Sequence, residues 1–264
     1  MTHYLRLIRR FIAVSFQHEL AYRSNFLIGA LHSLLNFATG LLGLTIIFGQ
    51  VETVNGYAFD STLAVLGVYL TMSALRGLFI SPSLDALAGM DGDLWQGRFD
   101  FTLLKPVDTQ FLASFRHWRP FALFDLLLGI GVLVAAVSRL VSTPTAVDLF
   151  TFLIAMIAAL LALYAILLFF AGLLFWSPGF LYTWIFDGIF QLARYPVGLY
   201  PGALQLLLTW VVPIALITTI PAQALNSTLA PGRLTVVFLF TLFLVAAATL
   251  TFRAGLRRYA SPSS

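Results

Sequence analysis

The sequence predicts an all-α, polytopic membrane protein in which residues 1–264 form one transmembrane domain. Three observations lead to this prediction. Only 10% of the residues are charged, whereas a soluble domain carries about 25%. Hydrophobic residues make up 60% of the chain, and the mean hydropathy is +0.93. Finally, six apolar segments are each long enough to cross the hydrocarbon core, which takes about 20 helical residues.

The six predicted transmembrane helices follow one another with short outer and longer inner connections. The fourth is long enough to tilt in the bilayer. Pro213 should kink the fifth, because proline removes a backbone hydrogen-bond donor. The approximate bounds of the six are Phe26–Phe48, Thr62–Ile80, Phe121–Val137, Leu149–Phe175, Leu204–Ala224 and Leu234–Phe252.

The basic residues predict the orientation of these helices. If the N-terminus lies in the cytoplasm, Arg139 and Arg233 alone fall on the outer side, and Arg194 is assigned to an inner segment. Loops rich in Lys and Arg remain on the cytoplasmic side of a membrane. We therefore expect both termini inside, an N-in/C-in arrangement.

Residues 1–24 are predicted to form an amphipathic helix that lies in the membrane interface. Its basic residues include Arg6, Arg9 and Arg10, and such helices bind at the headgroup boundary. Glu19 falls on the apolar side and interrupts the pattern. The alternative is an inward extension of the first transmembrane helix. The apolar face contains Tyr4, Leu5, Ile8, Phe11, Ile12 and Phe16.

The segment Trp176–Pro201 is apolar but is interrupted by Asp187, Arg194 and three prolines. Its aromatic residues favour an interfacial helix on the inner side, where aromatic side chains concentrate. A re-entrant element is the alternative, and it requires burial within protein.

The chain shows no pattern of an enzyme active site or a metal site. It has no cysteine, and His3, His18, His32 and His117 lack the spacing of metal ligands. A net charge of +4 is explained by cytoplasmic loops, so no nucleic-acid partner is expected. We predict no catalytic residue, no metal and no cofactor on this chain.

The chain cannot contain a nucleotide-binding P-loop. That motif needs a lysine followed by Ser or Thr to reach the phosphates. The chain's single lysine, Lys105, is followed by Pro106. If ATP drives this protein, another polypeptide must bind it.

Four of the polar residues within predicted transmembrane helices are candidates for a functional role. Arg76 and Asp125 lie at similar depth near inner ends, which suggests either an ion pair or snorkelling toward the interface. Asn36 lies near Gly29, Gly40 and Gly43, a pattern of close helix contact at a dimer seam, at a substrate wall or within one subunit. We expect His32 to be a packed polar residue.

The inner loop 81–119 is predicted to form short helices that rest on the membrane or on a partner. It contains five of the eleven acidic residues, yet apolar residues recur through it. The alternative is a simple connection. Its segment Gly97–Val107, GRFDFTLLKPV, resembles a signature of the permeases of type-2 ABC exporters. The later segments Tyr195–Pro201 and Val211–Leu225 are also similar to that family.

The resemblance implies a function that composition does not show. It implies the permease subunit of an ATP-driven exporter, paired with a second permease subunit as a homodimer or heterodimer. Each permease would dock an ABC ATPase subunit, which binds the ATP and Mg, through loop 81–119. The resemblance also implies a re-entrant outer segment, which the short 218–233 region would reduce. The motif positions given a coupling or structural role are Gly97, Asp100, Leu103, Leu104, Lys105 and Pro106.

We expect a multi-pass protein of the prokaryotic plasma (inner) membrane that exports a hydrophobic or amphipathic compound, drug-like or lipid-linked. Two alternatives belong to other classes. An ion-coupled secondary transporter would show inverted repeats and mid-membrane carboxylates. A membrane-embedded enzyme would cluster His, Asp or Glu near the interface, and here the histidines are scattered.

Overall fold

A computed structural model describes residues 2–21, 23–140, 143–230 and 232–260. The chain begins with the predicted N-terminal helix, α1 (Thr2–Ala21), followed by α2 (Arg23–Phe48). One face of α1 rests on the end of loop 81–119. The Ser15 hydroxyl accepts a hydrogen bond from the Trp118 backbone N–H at 3.1 Å. Glu19, which interrupted the apolar pattern, accepts one from the Phe121 N–H at 2.9 Å.

A short hairpin joins α2 to the third helix. Strands β1 (Thr53–Val54) and β2 (Tyr57–Ala58) pair antiparallel around Asn55 and Gly56. Both turn residues have positive φ, at 49° and 81°, and Asn-Gly is the preferred pair for such two-residue turns. It is the only β structure in the described parts of the chain.

Helix α3 (Phe59–Leu75) lies at the centre of the bundle, and residues 62–72 are buried. It continues through a π-helical turn (Arg76–Ile80), α4 (Ser81–Leu84) and a 3₁₀ turn (Asp85–Leu87). Pro82 has no N–H to bond the Leu78 carbonyl four residues earlier. The Arg119 backbone N–H bonds that carbonyl instead, at 2.9 Å. The end of the inner loop is thereby tied to α3.

The inner loop contains two further short helices, as predicted. They are α5 (Asp100–Leu103) and α6 (Thr109–Phe115), and the Asp108 carboxylate caps α6 by accepting from the Phe111 N–H at 2.8 Å. A 3₁₀ turn (Pro120–Ala122) then leads into α7 (Leu123–Val137). Asp108 is a suitable cap because its short carboxylate reaches the free N–H groups of the first turn.

Helices α8 (Ala146–Leu173) and α12 (Arg233–Arg258) pack along each other. Thr145 and Asp148 begin α8 with a reciprocal capping box. The backbone of Phe252 lies within contact distance of Gly172, where a side chain would not fit. The buried face of α8 is rich in alanine, which lets the two helices approach closely. Its buried alanines are Ala155, Ala158, Ala159, Ala162, Ala165 and Ala171.

Helix α9 (Tyr182–Gln191) and the 3₁₀ turns Leu192–Arg194 and Val197–Leu199 run antiparallel along α3. Tyr182 contacts Asp85 beyond the inner end of α3, and Asp187 contacts Arg76. The Gly198 carbonyl accepts from Asn55 in the outer hairpin. These contacts run the length of α3, so the predicted inner interfacial helix is wrong for residues 182–199. The two charges that interrupt this segment, Asp187 and Arg194, have partners in the π-helical turn after α3 and on α2.

The predicted fifth transmembrane helix, 204–224, is broken as Pro213 predicted. Helix α10 (Gly202–Leu206) with the π-helical turn Leu207–Val211 meets the π-helical turn Ala215–Thr219 with α11 (Ile220–Leu225) at 79°. Residues 213–222 are buried. Since 182–199 already reaches the outer hairpin, 202–225 folds as a re-entrant pair on the outer side. The expectation that such an element is reduced is therefore wrong.

The number of crossings agrees with the predicted six. Within the described ranges, five helices are long and apolar enough to cross a membrane, and counting the bent pair as one raises this to six. Because the contacts of 182–199 run the length of α3, we assign the sixth crossing to 182–199 and not to the bent pair 202–225. Either assignment makes an all-α polytopic membrane protein, with the core on α3, α8 and the buried half of 202–225.

Candidate functional site

A polar cavity of about 590 Å³ lies among α2, α3, α7 and α9. Three arginines and three aspartates line it, so its formal charges balance. Such a concentration of charge inside a helical bundle is costly unless the groups are paired or functional. The six are Arg76, Asp85, Arg119, Asp125, Asp187 and Arg194.

Arg76 is the best-partnered charge in this cavity. Its Nη2 lies 2.5 Å from Asp187 Oδ1, and its Nε donates to the Ser81 hydroxyl at 2.9 Å. Its guanidinium carbon lies 4.9 Å from the Phe186 ring centre and 5.5 Å from that of Phe190. The side chain is 12% exposed. It therefore points into the bundle rather than snorkelling.

The predicted pair of Arg76 with Asp125 is not formed. Asp125 lines the same cavity, but Asp187 takes the arginine. The two aspartates lie 62 positions apart on different helices, and the sequence assigned Asp187 to an inner interfacial segment. Only the path of α9 along α3 shows which carboxylate is closer.

Arg194 lies inside the bundle and not on the inner side where the charge count had assigned it. It donates to Asn36 Oδ1, and to the Thr39 hydroxyl at 3.2 Å. Its guanidinium carbon lies 5.6 Å from the Tyr69 ring centre. Asn36 thus makes a polar contact within one subunit, which was one of the predicted alternatives. Among its neighbouring glycines, Gly43 leaves no room for a side chain, since a Cβ there would meet the Tyr195 hydroxyl at 1.9 Å.

Asp85 is a cavity residue that sequence reasoning counted only among the loop acids. It accepts a hydrogen bond from the Tyr182 hydroxyl at 3.1 Å. Tyr182 is buried and Asp85 is half-buried. No pattern in the sequence links two residues so far apart. The sequence does show that Asp and aromatic residues recur in both 81–119 and 176–201. It does not show which residue of one segment contacts which residue of the other.

His32, Arg119 and Asp125 are shared by this cavity and a second one of about 550 Å³. The second cavity lies between α1, α2 and the start of α7, and His18 and Glu19 also line it. His32 therefore faces polar space rather than a packed core. No cluster of His, Asp or Glu within the described residues has a geometry suited to a metal ion.

The predicted motif in loop 81–119 forms a rigid base with an exposed apolar tip. Gly97 turns the chain with φ of 70°, a conformation that favours glycine. Phe99 is fully buried against Phe175 and Tyr259, with ring centres 5.5 and 5.4 Å away. Asp100 then begins α5. Burial, followed by the effect of the Asp100 carboxylate, raises the pKa of the Tyr259 phenol to about 12.

Beyond this base, most of the motif is exposed, although Thr102 is buried. Leu104 is 81% exposed, and Leu103, Lys105 and Pro106 are exposed as well. Partial burial, then the nearby Arg116, lower the pKa of Lys105. The predicted motif residues therefore fall into two groups, with Gly97 and Asp100 in the base and the remaining four at the surface.

Ion pairs hold the loop around this tip. Arg98 donates to Asp93 Oδ1 at 2.8 Å and to the Asp91 carbonyl at 2.5 Å. Asp93 also lies 3.9 Å from Arg116. Burial, followed by the charge of Arg116, lowers the pKa of His117, so its imidazole is neutral at physiological pH. These contacts join the start, the middle and the end of the loop to one another.

Comparison with known families gives one match. A family model described as "ABC-2 family transporter protein" matches residues 34–263, which is most of the chain. No curated protein and no solved structure matches it.

Proposed function

Because this chain belongs to the ABC-2 transporter family, we propose that it is the permease subunit of an ATP-driven exporter that works with a separate ATPase. Membership makes it a multi-pass membrane permease of an ABC transporter, a transport subunit rather than an enzyme. The proposal adds the direction, the cargo and the partner. The cargo is a hydrophobic or amphipathic small molecule, drug-like or lipid-linked, and the membrane is the prokaryotic plasma membrane.

The exposed apolar tip of loop 81–119 is the observation that supports docking of an ATPase. Phe101 is 69% exposed and Leu104 is 81% exposed, next to the charged Lys105. A central apolar anchor with a polar rim is the usual composition of a protein interface. The tip also stands on a buried base, so a partner that moves it would move Phe99 and the ends of α8 and α12.

The loop is connected to the bundle at both ends, which supports a coupling role. Ser83 and the His117 backbone exchange two hydrogen bonds, of 3.1 and 2.8 Å. The Arg119 N–H bonds the Leu78 carbonyl in the π-helical turn of α3. A displacement of the loop would therefore reach Arg76 and the polar cavity through covalent and hydrogen-bonded contacts.

The remaining partners follow from the same proposal. ATP and Mg would be bound by the partner ATPase, and a second permease subunit, identical or related, would complete the pathway. The surface of α2 is broadly apolar and exposed in the single chain, which suits contact with membrane lipid or with that second subunit.

Mutation of Leu104 tests the docking step. Leu104→Asp places a charge at the exposed tip, where it should abolish co-purification with the ATPase and stimulation of ATP hydrolysis. Because Leu104 contributes little to the core, the melting temperature should stay unchanged. Val51→Asp, a comparable substitution at the exposed outer hairpin, is the matched control and should leave both readouts intact.

Leu104→Ala is a milder second variant, expected to weaken ATPase binding about five- to thirtyfold, the 1–2 kcal/mol of a typical interface anchor. A permease that is folded but binds no candidate ATPase in wild-type form would overturn the proposed function. Full ATPase binding by Leu104→Asp would overturn the assigned docking site.

A further inference from the structure

We propose that the junction of the two cavities, between α2 and the start of α7, binds the polar head of a zwitterionic amphipath, with Arg119 facing its anionic group and Asp125 its cationic group. This inference rests on the proposed function, since it names the class of cargo. The cavities share Gly29, His32, Arg119 and Asp125, so they meet at these residues. Gly29 faces open space at this junction, since a Cβ there would meet nothing within 4 Å.

Arg119 and Asp125 differ from the other charges of the cavity. Arg76 pairs with Asp187, Asp85 accepts from a tyrosine and Arg194 donates to Asn36. In the part of the chain that the structure describes, the side chains of Arg119 and Asp125 form no ion pair or hydrogen bond with protein. Arg119 acts only electrostatically on Glu19, whose carboxylate already accepts from a backbone N–H.

The opposite signs of these two groups select the ligand class. Arg119 is exposed and Asp125 is half-buried in the single chain. A lone anionic head would face Asp125 and Glu19 as well as Arg119, and a lone cationic head would be repelled by Arg119. Either head leaves one of the two protein charges without a partner of opposite sign. A head that carries both signs satisfies both residues.

Apolar side chains line both cavities together with the polar ones, which fits the tail of an amphipath. Ile28 on α2 and Phe121 and Phe124 at the start of α7 line the second cavity. Leu35 and Leu128 line the first. Both helices have their predicted cytoplasmic ends here, so the head would lie at the depth of the inner leaflet's headgroups. The ligand is either a leaflet lipid or an amphipath from the cytoplasm.

The test measures equilibrium binding to the purified full-length chain in dodecyl maltoside. Three fluorescent probes share one alkyl chain and one fluorophore and carry a phosphocholine, a phosphate or a trimethylammonium head. We expect the phosphocholine probe to bind at least about tenfold more tightly than either single-charge probe, as one additional charge-assisted contact predicts.

Substitutions assign the two roles. Arg119→Gln should weaken binding of the phosphocholine and phosphate probes about tenfold, and it should not weaken binding of the trimethylammonium probe, because it removes a repulsive charge. Asp125→Asn should weaken the phosphocholine and trimethylammonium probes alone. Arg119→Lys keeps the charge and should retain most of the affinity for the phosphocholine probe. It keeps the test decisive if Arg119→Gln folds poorly. Arg253→Gln and Glu52→Gln, exposed on α12 and in the outer hairpin, are the charge-matched controls.

Equal affinity for the three probes, or equal losses in the cavity and control variants, would overturn the subsite. Nanodiscs separate the two sources of ligand. If a leaflet lipid occupies the site, phosphatidylcholine discs should compete with the phosphocholine probe and phosphatidylglycerol discs should not. If the ligand comes from the cytoplasm, both discs should give the same affinity.

Binding is measured without ATPase, so the two proposals fail separately. Selective binding by a permease that engages no ATPase would refute the proposed function and keep the subsite. A permease that couples to an ATPase but binds the three probes equally would refute the subsite and keep the proposed function.

Discussion

The guanidinium of Arg76 lies 2.5 Å from the carboxylate of Asp187 and joins the π-helical turn after α3 to α9. Because α9 is short, and because it and the following 3₁₀ turn contain two charges, Asp187 and Arg194, this segment is unsuited to a lipid environment by itself. Its charges are met by residues of α2 and α3. This ion pair and the Arg194–Asn36 contact therefore hold the least apolar crossing of the chain in the bundle.

Exchanging the charges of Arg76 and Asp187 tests this role. Arg76→Glu or Asp187→Arg alone should destabilise the protein by about 1–3 kcal/mol, less than a fully buried pair because Asp187 is half exposed. The double exchange should recover part of the loss in melting temperature. The control exchange, Arg76→Glu with Asp125→Arg, should not. Recovery by that control would contradict the geometry.

Asn36 should be needed to keep Arg194 inside the bundle. Asn36→Ala removes the acceptor of Arg194 Nη2 and leaves a half-buried guanidinium short of a partner, at a cost of about 1–3 kcal/mol. Asn36→Asp should preserve the melting temperature, because a carboxylate accepts the same bond. Thr45→Ala, an exposed hydroxyl further along α2 that bonds only its own helix, serves as the control. Unchanged stability of Asn36→Ala would contradict this role.

Single cysteines can establish the path of 182–225, because the chain contains no native cysteine. If 202–225 is a re-entrant outer pair, Ala203→Cys and Ser227→Cys should both react with a membrane-impermeant maleimide in intact cells. Ser177→Cys, between α8 and α9, should react only after permeabilisation. A straight fifth span would place residue 203 on the cytoplasmic side, and protection of Ala203→Cys in intact cells would refute the assignment.

Glu19 should make stability depend on pH. Burial raises its pKa above the ordinary value, against the opposing effects of the Phe121 N–H and Arg119. The folded protein therefore holds this proton more strongly than the unfolded chain, and stability from this group is complete below the unfolded pKa. It is lost as pH rises through the folded pKa.

Glu19→Gln should match the wild type in melting temperature at low pH and exceed it at neutral pH, because the amide carries no charge to desolvate. Glu52→Gln in the exposed outer hairpin should follow the wild-type profile throughout. A Glu19→Gln profile parallel to that of the wild type would show that this carboxyl is not responsible.

Much of the architecture follows from local properties of the sequence. Long apolar runs predict α2, α3, α7, α8 and α12 because lipid requires them. Pro213 predicts a break because it lacks an N–H, and the break is present. The GRFDFTLLKPV segment led to the ABC-2 family, which the family match confirms. The number of spans, the absence of a P-loop and the short helices of 81–119 also follow from local properties of the sequence.

The tertiary structure decided which polar residues meet and which segments cross. Hydropathy alone predicts that 204–224 spans the membrane, because the segment is apolar. In the structure, residues 213–222 are buried in protein, so their apolar character suits protein packing rather than contact with lipid. Hydropathy excludes 182–199 as a span because the segment contains Asp187 and Arg194. The partners of these two residues lie in the turn after α3 and on α2. The choice of Asp187 over Asp125 depends on distances between helices. Free energy in a bundle depends on such pairings, and these are set by packing and not by position along the chain.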